Sequence, residues 1–210
     1  MASMASVVIL VLLIPCAALA HRLDEYLQAA RISIEADRVL VELNLTPGAD
    51  VADGVFETID LDRNGAISPS EGDSYANRVV NSLSLSIDGQ AHRLKLDDYT
   101  MPALAEMQSG EGIIRLRASS PIGLAAPGRH QLRFANPHRT DISEYLVNAL
   151  VPSDERIHIN GQSRDTLQRQ IRLDYTVSPG YKKSSVLAAL APLFGLAMVT
   201  VLFVCRRAAQ

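Results

Sequence analysis

Cysteine is missing from every position between residues 17 and 204 of this sequence; the two present are Cys16 and Cys205, one near each end. The long middle therefore cannot close a disulfide, whatever the redox state around it. Its stability has to come from a hydrophobic core and from any bound metal. Basic excess is lacking too: 20 Lys and Arg stand against 23 Asp and Glu, a formal charge of −3, which removes the electrostatic footprint of a nucleic-acid binder. No run of like charges marks a disordered tail, nothing repeats internally, and no segment is of low complexity. The motifs of common hydrolytic and phosphate chemistry are also missing: no G-x-S-x-G, no H-E-x-x-H, no Gly-rich phosphate loop and no cysteine placed as a nucleophile. The pair Asp97-Asp98 reads as a solvated turn. The chain is not expected to be an enzyme; one with dispersed acid–base groups ranks third among the alternatives.

Charged side chains are absent from residues 1–20, MASMASVVILVLLIPCAALA. Val7 to Ile14 form a short apolar run that Pro15 breaks, and Ala18-Leu19-Ala20 supplies the small-x-small pattern of signal peptidase cleavage before His21. This is the pattern of a secretory signal peptide, although its first residues carry no Lys or Arg. At the other end Val186 to Cys205, VLAALAPLFGLAMVTVLFVC, is uncharged throughout. Such a run of about 20 residues at 1.5 Å rise matches a hydrocarbon core of roughly 30 Å. Pro192 and Gly195 are tolerated in a membrane span. A single transmembrane helix over 184–205 is expected. Lys182-Lys183 and Arg206-Arg207 balance across it. Orientation then follows from the signal peptide: residues 21–180 lie on the extracytoplasmic side of the cell membrane, periplasmic or extracellular, and 206–210 form a cytoplasmic tail.

In that middle region the apolar residues alternate. Ile32 and Ile34 face Val39, Val41, Leu43 and Leu45 across the turn Ala36-Asp37-Arg38, a hairpin by period-two patterning. Leu83, Leu85 and Ile87 precede Asp88-Gly89, and Leu94 and Leu96 follow; Asp-Gly between alternating segments is a strong hairpin signal. Further strands are expected at 112–118, 129–135, 144–151, 156–160 and 169–177. Short strands separated by Gly, Pro and Asp turns predict a mainly β, sandwich-like fold. Residues 49–83 break the rhythm. Val51, Val55, Phe56 and Ile59 share one helical face, and Tyr75, Val79, Val80 and Leu83 share another.

Between these helices lies DLDRNGAISPSE, residues 60–71. It meets D-x-[DN]-x-[DN]-G-x5-E, the loop that supplies oxygens to Ca²⁺ from positions 1, 3, 5, 7, 9 and 12. These positions are Asp60, Asp62, Asn64, the carbonyl of Ala66, Ser68 (directly or through water) and Glu71. Gly65 takes the sharp turn, and Ile67 is the apolar residue that packs on the helices. Ser68-Pro69-Ser70-Glu71 also reads as an N-cap, a first-turn proline and a capping-box glutamate. Capping alone accounts for Ser68 and Glu71, but not for Asp60, Asp62, Asn64 and Gly65 in register. A single loop without a paired second one points to modest affinity, in the roughly 10⁻⁴–10⁻³ M band of extracellular modules.

On these residues the chain resembles EF-hand calcium-binding proteins. The start His21-Arg22-Leu23-Asp24-Glu25-Tyr26-Leu27, the hairpin ending LNLTPG, the loop and the Asp-Gly hairpin together resemble exported N-terminal domains of bacterial EF-hand membrane proteins, some of which precede nickel/cobalt permeases. The similarity covers about the first hundred residues. No multi-helix permease bundle lies within these 210 residues, so the resemblance implies calcium binding in a structural or interaction role, and not transport. A second reading is a metal-handling accessory protein. If cleavage follows Ala20, the free amine and imidazole of His21 can chelate Cu²⁺, Ni²⁺ or Co²⁺ with a second histidine drawn from His92, His130, His138 or His158. The histidine spacing offers no motif for this.

Overall fold

The computed structural model describes residues 23–123 and 126–179. The expected signal peptide, the start at His21, the apolar run at 184–205 and the tail at 206–210 lie outside these residues. No helix among the described residues is long and apolar enough to cross a membrane.

The alternation at the start of the domain produces two long strands, β1 (Tyr26–Ile34) and β2 (Arg38–Pro47). They pair antiparallel with Ile32 opposite Val41 and Ile34 opposite Val39. In β2 every second residue from Val39 to Leu45 is buried, as period two requires when one face meets the core. Eight further strands follow: β3 (Ser84–Ile87), β4 (Gln90–His92), β5 (Lys95–Thr100), β6 (Ile114–Pro121), β7 (Gly128–Ala135), β8 (Ser143–Ala149), β9 (Ile157–Arg164) and β10 (Gln170–Val177). They form two five-stranded sheets, ordered β5-β6-β2-β1-β8 and β4-β3-β7-β10-β9. One hydrophobic cluster is shared by both, from Ile32, Val41 and Leu43 of the first to Leu132, Phe134 and Leu173 of the second. The mainly β, sandwich-like expectation holds for the described residues.

The chain changes sheets often, and the first change positions the site. Strand β2 belongs to one sheet and β3 to the other. Between them run α1 (Ala49–Glu57) and α2 (Pro69–Ser82), which flank the oxygen-rich loop as expected. Ala52, Val55 and Phe56 of α1 and Tyr75, Ala76, Val79 and Val80 of α2 join the common cluster. The helix–loop–helix is thus a crossover whose apolar faces complete the core.

The Asp-Gly hairpin forms, with Asp88 at φ 51° and Gly89 at φ 82°, the left-handed pair of a tight two-residue turn. Its second arm differs from expectation. Strand β4 ends at His92, and the chain then passes to the other sheet, where β5 pairs with β6. Leu94, expected in the hairpin arm, is instead buried at the crossing. The reason is packing: Leu94 fills the core where the chain moves between layers, and Lys95 and Leu96 start a new pairing on the far sheet. Asp97 and Asp98 are exposed, but in β5 and not in a turn. Also unforeseen is α3 (Leu104–Gln108), a short helix whose Met107 is fully buried. Its start is held by Glu106, whose Oε2 accepts the Ala103 N–H at 2.8 Å. Strand β8 pairs in parallel with β1, an arrangement that local hairpins cannot make.

With no cysteine in the domain, its stability resides in this cluster. Leu132 is fully buried at the centre of β7, and Leu-to-Ala changes at such sites cost about 2–5 kcal/mol. Leu132→Ala is expected to lower the urea midpoint accordingly with an unchanged slope, measured by circular dichroism.

Candidate metal centre

Helix α1 ends at Thr58, and the chain enters the loop with Ile59 and Asp60 buried. Asp60 receives two backbone N–H groups, from Asn64 on Oδ1 at 3.1 Å and from Gly65 on Oδ2 at 2.8 Å. Gly65 stands at φ 82°, a region that a side chain strains, which accounts for glycine at the sharp turn. Asp62 accepts from the Asn64 N–H at 3.1 Å and from its side-chain amide at 2.9 Å. Asn64 Oδ1 accepts in turn from the Ala66 N–H at 2.8 Å. Ile67 is half-buried and packs against the core cluster, as expected for the residue that seats the loop.

Glu71 closes the loop from the other side. Its Oε1 accepts from the backbone N–H of Leu61 at 2.7 Å and of Asp62 at 3.2 Å. Its Oε2 accepts from the Ser68 N–H at 2.9 Å and hydroxyl at 2.7 Å. The first pair lies at the loop entrance and the second at the start of α2. One carboxylate therefore ties both ends of the loop together, and with Ser68 it forms the capping box expected from sequence. The Ser68 hydroxyl and backbone, with the Asp62 and Leu61 N–H groups, hold the Glu71 carboxyl down at about 2. It remains ionised at neutral pH. Because the folded-state value lies below the usual carboxylate range, this contribution to stability is present above pH ~4.5 and is lost as pH falls through about 2.

Asp60, Asp62 and Glu71 each bring a carboxylate oxygen to within 4.8 Å of the others. Oxygens sharing one Ca²⁺ at 2.3–2.6 Å can lie at most about 5 Å apart, so these three can share an ion. Asn64 sits between Asp60 and Asp62 through its hydrogen bonds, Ala66 is exposed in the loop, and the Ser68 hydroxyl is engaged with Glu71. All four lone-pair directions of the Glu71 carboxylate are taken by donors. A cation entering the loop has to displace or share them.

The four histidines of the described residues do not assemble. No group of three metal-ligating side chains among these residues contains a histidine. His130 has both ring nitrogens engaged, Nδ1 with Asp88 Oδ2 and Nε2 with the Ala126 carbonyl, each at 2.7 Å. His92 and His158 lie apart on β4 and β9.

His138 belongs to a polar cluster without a sequence signature. Its Nε2 lies 3.2 Å from the Tyr75 hydroxyl, which is 2.8 Å from the hydroxyl of Tyr26. The His138 carbonyl accepts from Gln28 and from Tyr145, and buried Asn136 donates to Gln28 at 2.8 Å. Helix α2, which leads out of the oxygen-rich loop, meets strand β1 and the β7–β8 crossover in this cluster. Its members are 49 and 63 positions apart between Tyr26, Tyr75 and His138, so no local pattern could expose them.

The chain matches no protein-family model and no curated protein, so the chemistry of the site stands on its own residues.

Burial, with help from Arg139 and Arg78, pushes the His138 imidazole down to about 4. An unfolded chain binds this proton near pH 6.5, the folded one only near pH 4. Across that window the unfolded state holds more protons, so stability rises with pH. Unfolding at pH 4.5 is expected to cost roughly 2–3 kcal/mol less than at pH 7 on this group's account. Urea titrations of His138→Gln at both pH values are expected to show that share of the difference removed.

Proposed function

We propose that this chain is a membrane-anchored, exported calcium-binding protein of EF-hand type, in which the ion has a structural or interaction role. The observation that carries the reading is the convergence of the Asp60, Asp62 and Glu71 carboxylates in a loop flanked by α1 and α2. Asn64, the Ala66 carbonyl and Ser68 would complete the ligand set. The supporting sequence features are the uncharged segment at 1–20 and the apolar run at 186–205. An enzyme is not proposed.

Position in the fold gives the ion a consequence. The loop interrupts the crossover between the sheets, and both flanking helices contribute to the core. Three carboxylates gathered there repel one another, and a divalent cation that binds the folded loop offsets the repulsion. Binding only to the folded state adds RT ln(1 + [L]/Kd), about 1.4 kcal/mol at calcium ten times above Kd. The melting temperature is expected to rise by a few degrees from EDTA to millimolar calcium. Magnesium, which demands a smaller octahedral site, is expected to substitute poorly at equal concentration.

Glu71→Gln is expected to abolish the calcium-dependent rise. It also lowers the metal-free melting temperature, because an amide nitrogen cannot accept the N–H and O–H donors that one carboxylate oxygen now receives. A wild-type chain that melts alike in EDTA and in calcium would reduce the loop to a capped turn. Export has its own check: amino-terminal sequencing of the membrane-fraction protein is expected to begin at His21, and a start at Met1 would remove it.

A further inference from the structure

By fraction the most exposed large apolar side chain of the described residues is Val151, 92% accessible, ahead of Leu61 at 64% and Leu167 at 54%, and Leu150 beside it is 39% accessible. Both begin the loop from β8 to β9, and with Pro152 and Ile157 they form the apolar part of a groove of about 480 Å³ whose β9 side also carries His158, Asn160 and Gln162. Nothing in the folded domain covers Val151.

Strand pairing places this loop at one end of the domain. Strand β10 finishes at Val177 opposite Ile157, and the Ser178 N–H donates to the Arg156 carbonyl at 2.8 Å. The Leu150 N–H is held by the Ile32 carbonyl at 2.8 Å, at the far end of β1 from Tyr26. The chain therefore leaves the domain beside the Leu150–Arg156 loop. Strand β6 finishes at the same end with Pro121 opposite Arg38, and β7 starts there with Gly128 opposite Val177. Nearby charges are mostly neutralised locally: Arg156 is paired with Asp154, and Arg38 with Glu35. Asp37, Glu155, Arg129 and Lys95 remain, which limits any insertion to a shallow one.

Seven residues, 179–185, separate Ser178 from the apolar run that begins at Val186. Fully extended, that length reaches at most about 25 Å. If the run spans a bilayer, the end of the domain carrying Val151 cannot lie farther than this from the lipid surface.

We propose that the Leu150–Pro152 tip is a membrane contact, in which Val151 and Leu150 enter the headgroup–acyl boundary of the bilayer. The inference rests on the anchor reading above. An apolar side chain fully open to water gains by such transfer, roughly 25 cal/mol for each Å² covered. The tip would hold the domain in one orientation, with the β9–β10 turn and the calcium loop's helices at the end away from lipid. Leu167, in that turn, lies on the order of 25 Å from the tip by the rise of the eight-residue strand β10.

The sequence contains no tryptophan, so one introduced residue reports alone. The full chain carrying Val151→Trp, or Leu167→Trp as the distal control, is reconstituted in phosphatidylcholine/phosphatidylglycerol vesicles, with and without shallow brominated lipid. Val151→Trp is expected to emit to the blue of Leu167→Trp and to lose about half its emission or more to the bromines, given a depth of about 5–10 Å. Leu167→Trp is expected to be unaffected. A chain that resists carbonate extraction while neither tryptophan is quenched overturns the tip contact and leaves the anchor standing. Equal quenching of both overturns it too, since the domain then has no fixed orientation. Extraction by carbonate removes the anchor and the inference with it.

Discussion

Two five-stranded sheets share one aliphatic layer, and no covalent cross-link holds them together. Removing that layer from water is the main favourable term in such a domain, and it must offset the conformational entropy of ordering about 150 residues. Every connection between the sheets is therefore under constraint, because a crossover that failed to fit would open the layer at its edge. The chain meets this with side chains in the crossovers themselves. Leu94 is buried at the β4–β5 crossing, and the helices of the β2–β3 crossover add Val55, Phe56, Val79 and Val80.

The oxygen-rich loop has to be seen in that setting. A reversal between two packed helices leaves N–H groups exposed at the start of the second helix and around the turn. Asp60 satisfies those of Asn64 and Gly65, and Glu71 satisfies those of Leu61, Asp62 and Ser68. The loop is thus ordered by its own hydrogen bonds, and the groups that order it are the ones that would hold a cation. An ion bound there would draw on the same lone pairs as the helix cap.

The strand directions separate two ends of the domain. At one, β1 begins, α1 starts next to Pro47 and Gly48, and the Tyr26–Tyr75–His138 cluster joins the exit helix to the β7–β8 crossover. At the other, β10 ends beside an apolar loop.

Much of this was legible in the chain itself, for a physical reason: it depends on neighbours close in sequence. The β1–β2 hairpin follows from alternation around Ala36-Asp37-Arg38, the Asp88-Gly89 turn from its tolerance of positive φ, and the helix–loop–helix from 3.6-residue periodicity on either side of residues 60–71. Ser68 and Glu71, three apart, meet at the start of one helix. What the tertiary structure alone decided involves partners far apart. Strand β4 ends at His92 because Leu94 finds its place in a core made by other strands. Strand β8 lies parallel to β1 because the chain crosses to it from β7 in the other sheet, and local pattern does not encode that choice. The alignment of Gln28 and Asn136, 108 positions apart, and the meeting of Tyr75 with His138 depend on the whole sandwich having formed, since a hydrogen bond between distant residues gains nothing until packing has brought them together.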